Sequence, residues 1–237
     1  MTKRYWLVLL TYILTLFSVI IGAPILMLMG VAKEQIPGIW TLFSFSIGFI
    51  IILLLLRQDM AERHLTRDRS SKSDAVIWSI AGIFMAFMAQ YVAVIIEVSV
   101  FGIEPGSENT EMIVEFAKAT PALILVVAVI GPILEEIIFR MIIFGTLYKR
   151  FNFWIAAIIS SVIFAVVHMD FEHLLVYAFM GVVFSFLYVK TKRIIVPIVA
   201  HVALNSFVMI VQVVYGDRLM ELQKKLEEMQ GFIGGLL

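Results

Sequence analysis

The chain has no cysteine among its 237 residues. That absence excludes disulfides, thiol nucleophiles, iron–sulfur ligation and cysteine-based zinc sites together. Charge is scarce: Asp, Glu, Lys and Arg make up 15% of the chain, where soluble domains carry about a quarter. The charge also lacks a dominant sign. Eighteen basic residues balance eighteen acidic ones, so there is no basic footprint for nucleic acid, and none is expected as a partner. No H-E-x-x-H helix and no G-x-S-x-G elbow occurs, which removes two common hydrolase signatures. The long apolar stretches contain no Asp, so a membrane aspartyl dyad has no candidates.

Apolar surface is what the chain has in excess. Hydrophobic residues are 62% of the sequence and mean hydropathy is +1.01. A water-soluble fold of this size cannot bury that much, because folded surfaces are already partly apolar. The remainder must face lipid. The expected class is all-α: a polytopic membrane protein with about seven transmembrane helices, near 5–29, 38–56, 75–100, 121–147, 153–168, 173–189 and 194–214. The first stretch is too long for a signal peptide, and no small-residue cleavage site follows it.

Loop charges orient the array. With the N-terminus inside, twelve of the eighteen basic residues fall on the inner side and five on the outer side. That imbalance follows the positive-inside rule and predicts a multi-pass cell-membrane protein with a cytoplasmic N-terminus. The eighteenth basic residue, Arg140, lies within a span.

Ionisable groups inside a bilayer cost a few kcal/mol or more and mark functional sites. Glu135, Glu136, Arg140, His168 and His201 all fall in the last four spans, together with polar Asn205. Helical spacing sorts them. Glu135 and Glu136 are adjacent and point about 100° apart, so they serve different roles. Glu136 and Arg140 are four residues apart on one face and can neutralise each other. Glu135 is then the unpaired carboxylate. Phe164 precedes His168 by one turn, and His201 precedes Asn205 by one turn. At about 1.5 Å per residue, Glu135, His168, His201 and Asn205 lie roughly 11 to 22 Å from the inner helix ends. Tilt can bring them level. Pro132 and Pro197 stand within about one turn of Glu135 and His201, and each is expected to break its helix there.

A free carboxylate, two imidazoles and an amide suit hydrolysis of a peptide bond. Glu135 can activate water, His168 can orient that water or pass a proton to the leaving amine, and His201 with Asn205 can hydrogen-bond the oxyanion. A metal-free site is favoured, since no two ligand-type side chains share a helix face at His-x-x-x-His or Glu-x-x-His spacing. Zinc is the alternative cofactor, with Glu135, His168 and His201 as its ligands. Two non-hydrolytic readings stand beside this one. A transporter or proton relay would also place carboxylates and imidazoles at mid-depth, though no inverted repeat is visible. A membrane scaffold or immunity-type protein would bind partners without catalysis.

Three motifs carry a resemblance. Glu135-Glu136-Ile-Ile-Phe-Arg140 is similar to E-E-x-x-x-R, Phe164-Ala-Val-Val-His168 to F-x-x-x-H, and His201-Val-Ala-Leu-Asn205 to H-x-x-x-N. In this order, on successive membrane helices, they resemble the CAAX protease and bacteriocin-processing family (CPBP, or Abi), in a bacterial member. The likeness covers about 120–212. It implies an intramembrane protease of the type II CAAX-endopeptidase kind, glutamic or metallopeptidase, with Glu135 and His168 at the water, His201 and Asn205 at the oxyanion, and Glu136, Arg140 and Phe164 in orienting roles. The expected partners are membrane lipid and a membrane-associated peptide or protein substrate. The organisation that follows is an N-terminal three-helix membrane region (1–118) with a basic cytoplasmic loop (57–74) and an acidic outer loop (101–118), a catalytic core (119–215), and an amphipathic C-terminal tail (216–237).

Overall fold

The computed structural model describes residues 1–62, 68–104 and 106–234, with few side chains after residue 216. It is an all-α membrane protein, and no strand occurs among the described residues. Helices α1 (Lys3–Phe17) and α2 (Val19–Leu28) meet at a 40° bend at Ser18. Helix α3 (Ile36–Leu55) returns beside them, followed by the short α4 (Arg57–Glu62) and the 30-residue α5 (Lys72–Phe101). Helix α6 (Glu108–Ala119) is amphipathic and leads into the fourth apolar stretch. Four further rods complete the fold: a broken helix over 123–147, α10 (Phe153–Val167), α11 (Leu174–Thr191) and α12 (Ile195–Gly234). Part of the basic loop, 63–67, lies outside the described residues, and most side chains of the amphipathic tail expected over 216–237 lie outside the described ones.

All seven apolar stretches are helical, but they are not equivalent. Among the described residues, four helices are long and apolar enough to cross a membrane alone, and five if the bent α1–α2 pair counts as one. Helix α10 has only 15 residues. The fourth stretch alternates between α and π geometry. It runs as α7 (Leu123–Leu125), a π turn (Val126–Ile130), α8 (Gly131–Glu135), a second π stretch (Glu136–Phe144) and α9 (Gly145–Leu147).

Local chemistry explains the boundaries. Ser71 caps α5 by accepting from the Asp74 N–H at 3.0 Å, and Asn152 caps α10 by accepting from Ile155 at 3.0 Å. Gly102 ends α5 at φ 69°, the left-handed geometry that glycine adopts without Cβ strain. Pro197 is not a mid-helix break, contrary to expectation. Helix α12 begins at Ile195, so the proline sits in the first turn, where its missing N–H goes unmissed.

Small residues let the rods approach, as in other membrane bundles. A Cβ on Gly181 of α11 would stand 2.6 Å from Ser161 Oγ and 3.0 Å from the Ser161 Cα of α10. Gly181→Val is therefore expected to destabilise the protein by about 1–3 kcal/mol through overpacking. Thermal unfolding in detergent checks it, and a wild-type midpoint would contradict so close a contact.

Candidate active site

The first π turn sets the approach of Glu135. In an i→i+5 ladder the partner of the Val127 carbonyl is residue 132, a proline without an N–H. Asn205 on α12 supplies the donor instead: its Nδ2 lies 3.3 Å from Val127 O. The second π stretch is pinned similarly, where Ser160 Oγ on α10 donates to Phe139 O at 2.8 Å. Irregular backbone at membrane depth needs such partners. Asn205 thus spends one amide hydrogen on holding the broken helix and keeps the other.

The adjacent glutamates diverge. Glu136 is fully buried, with Arg140 Nε 3.3 Å from its Oε2 and His201 Nδ1 2.9 Å from its Oε1. The guanidinium, also fully buried, lies 4.3 Å from the Phe164 ring centroid and 5.3 Å from that of Phe184. Two π faces therefore take the place of water around it. Phe184 also stacks on His201 at 4.7 Å. Glu136 is more than a counter-ion to Arg140: it also holds an imidazole.

Glu135 turns toward open space. Its Oε2 is 3.9 Å from His168 Nε2 and 3.6 Å from His201 Nε2, and it accepts no hydrogen bond from the described residues. The Glu135 and His168 side chains keep 18% and 19% exposure, while Glu136 and Arg140 keep none. Glu135 is consequently the carboxylate that an incoming molecule meets. The imidazole partners select the tautomers. His168 Nδ1 donates to Phe164 O at 2.7 Å, and His201 Nδ1 donates to Glu136. A carbonyl and an arginine-paired carboxylate can only accept, so in the neutral rings both Nε2 atoms present lone pairs to Glu135.

These groups line one wall of a cavity of about 650 Å³ that also includes Asn205. Helix α6 also lines it, through Asn109, Ile113 and Phe116. The structure thus brings Glu135, His168, His201 and Asn205 to one cavity from three rods, with Glu136, Arg140 and Phe164 behind them.

Sequence reasoning missed several residues here. His173 Nδ1 lies 2.9 Å from Glu97 Oε2, while Glu97 Oε1 accepts from the Leu175 and Val176 N–H groups at the start of α11. Phe184 and Tyr177, which flank the imidazoles, belong to no local motif. A helical wheel of α11 could not single them out among its many apolar positions.

The comparisons with known proteins bear on this site directly. Residues 117–207, which contain all three motifs, match the family described as type II CAAX prenyl endopeptidase Rce1-like. The protein named "Putative membrane peptidase YdiL" of Bacillus subtilis (strain 168) is 45% identical over 244 residues, covering 100% of this chain and 99% of that protein. This chain belongs to the CAAX protease family. A second relative, "Membrane-embedded CAAX protease MroQ" of Staphylococcus aureus (strain USA300), is 34% identical and covers 97% of each chain. A shorter match, 34% identical over 83 residues, is to the UPF0177 protein YxdF of Lactococcus lactis subsp. lactis (strain IL1403), covering 35% of this chain and 45% of that one. No solved structure matches. Family membership makes the chain a CAAX-type membrane peptidase.

Proposed function

We propose that the protein is a cell-membrane endopeptidase that hydrolyses a peptide bond of a membrane-associated peptide or protein through water activated by Glu135. One observation carries the reading. His168 Nε2 and His201 Nε2 lie 3.9 and 3.6 Å from Glu135 Oε2, and all three residues line the cavity. Acceptors so placed call for a shared donor, and water has the two hydrogens and the size to serve.

Glu135 takes the proton of the attacking water as oxygen adds to the carbonyl carbon. His201, its Nδ1–H held by Glu136, receives that proton from Glu135 at Nε2, 3.6 Å away, and as the imidazolium stabilises the oxyanion through Nε2–H. His168 Nε2, which shares the water, takes the second proton of its oxygen and gives it to the departing amine nitrogen as the C–N bond breaks, leaving a carboxylate and an amine, and the proton on His201 passes to solvent with the products. Asn205 adds its second amide hydrogen. Glu135, His168 and His201 are zinc-type donors. The steps above need no metal. Peptide pheromones, bacteriocin-like peptides and membrane-anchored proteins are the substrate classes to test. The cytoplasmic placement of the N-terminus rests on the loop charges.

Cleavage of an internally quenched peptide by detergent-purified protein is expected to survive exhaustive dialysis against EDTA and 1,10-phenanthroline. Loss of activity that added zinc restores would assign the same three donors to a metal.

A further inference from the structure

We infer that Tyr177 is a positioning residue for His168, with Asp170 as its anchor, in a chain of contacts that ends on α6. This rests on the hydrolytic reading above. His168 sits at the C-terminal end of α10, followed by the left-handed Met169 at φ 57°. An imidazole there has no regular helix after it to limit its rotation. The Nδ1–H bond to Phe164 O fixes one edge of the ring, but a single hydrogen bond does not fix a plane. The plane is set by the Tyr177 ring on α11, stacked on the imidazole at 4.1 Å between centroids and 26° between planes. Phe164 closes the other side edge-on at 4.5 Å.

Tyr177 is itself held at its far end. Its hydroxyl donates to Asp170 Oδ2 at 3.3 Å. The same Asp170 oxygen accepts from Ser107 Oγ at 2.7 Å. Ser107 is the N-cap of α6, where its oxygen also accepts from the Thr110 N–H at 3.1 Å. The plane of His168 is therefore registered against the helix that walls the cavity. Glu135 faces the imidazole at Nε2 and Tyr177 covers its face, so the two contacts are independent. A misplacement of about 1 Å in such a group can cost roughly 10²-fold in rate.

Tyr177→Leu removes the stacking ring, and Tyr177→Phe keeps the ring while deleting the tether. Both are compared with wild type on the internally quenched peptide that wild type cleaves fastest. Separately, the rate at which diethyl pyrocarbonate modifies His168 is followed by peptide mass spectrometry. Tyr177→Leu is expected to lower kcat by roughly 10- to 100-fold with KM within about two-fold, and to raise the His168 modification rate several-fold. Tyr177→Phe is expected to stay within about three-fold of wild type in both, which is the rescue a positioning ring predicts. Asp170→Ala, which removes the same tether, is expected to match Tyr177→Phe. The inference is overturned if Tyr177→Leu, eluting as a single folded species, keeps wild-type kcat and wild-type His168 reactivity, or if Tyr177→Phe falls as far as Tyr177→Leu. Glu135→Gln run in parallel separates the two readings. If it still cleaves, Glu135 is not the base and the proposed mechanism fails, while the His168 modification rates still decide where Tyr177 acts.

Discussion

Glu135→Gln is expected to reduce peptide cleavage by about 10²–10⁴-fold, the range that a positioned general base supplies, while the protein still inserts and folds. The substitution keeps the shape of the side chain and removes only its capacity to take a proton. Stability should not suffer. Glu135 Oε2 is buried without a hydrogen-bond partner among the described residues, and removing such a charge relieves a desolvation cost. An unfolding midpoint equal to or above that of wild type is therefore expected, the pattern of a group held for function at the expense of stability. The measurement pairs thermal unfolding in detergent with mass spectrometry of membrane peptides from cells carrying wild type or variant. A scaffold would keep its cellular phenotype with glutamine at this position. A transporter would lose pH-dependent flux and show no change in peptides. Full cleavage by the variant would sink the assignment of Glu135 as base.

Much of this arrangement was legible in the chain, for a physical reason. Ionisable side chains are so costly in lipid that the few present are informative, and the spacing of Glu135, Glu136 and Arg140 separates a free carboxylate from a paired one. Helix-period reasoning then reaches a limit. It treats 121–147 as one regular rod, whereas the segment passes twice into π geometry. The longer π turn still keeps Glu136 and Arg140 neighbours, so the pairing was inferred from the wrong helix. Side-chain donors from other rods, Asn205 and Ser160, support that irregular backbone, and no local pattern reveals a contact 78 residues away in sequence. The same limit hid the Glu97–His173 pair, whose partners are separated by 76 residues. Pro197 illustrates the converse. A proline near a functional residue suggested a kink, but the position of the helix start decides whether one exists, and α12 begins two residues earlier.

Arg140→Ala is expected to destabilise the fold by about 3–5 kcal/mol, the range for stripping one partner from a buried ion pair. The guanidinium is fully buried, as is the Glu136 carboxylate beside it. Its loss leaves that carboxylate with His201 as its remaining polar partner, and it also empties the space between Phe164 and Phe184. Domains are stable by only about 5–15 kcal/mol, so a loss of this size should appear as poor recovery of folded protein and a sharply lower unfolding midpoint. Arg140→Lys should recover only part, because an ammonium keeps the charge but not the planar surface that two rings flank. The double variant Glu136→Gln with Arg140→Met is the sharper test. It removes both charges, fills the volume with an apolar chain, and leaves the glutamine carbonyl to accept from His201 Nδ1. Its stability should return most of the way to wild type, since a buried pair can often be replaced by packed apolar groups at little cost. In whatever fraction of Arg140→Ala folds, activity per folded molecule should fall less than in Glu135→Gln, because the guanidinium has no exposure to the cavity. Wild-type stability of Arg140→Ala would show that Glu136 is neutral or otherwise paired, and the division of labour between the two glutamates would have to be redrawn.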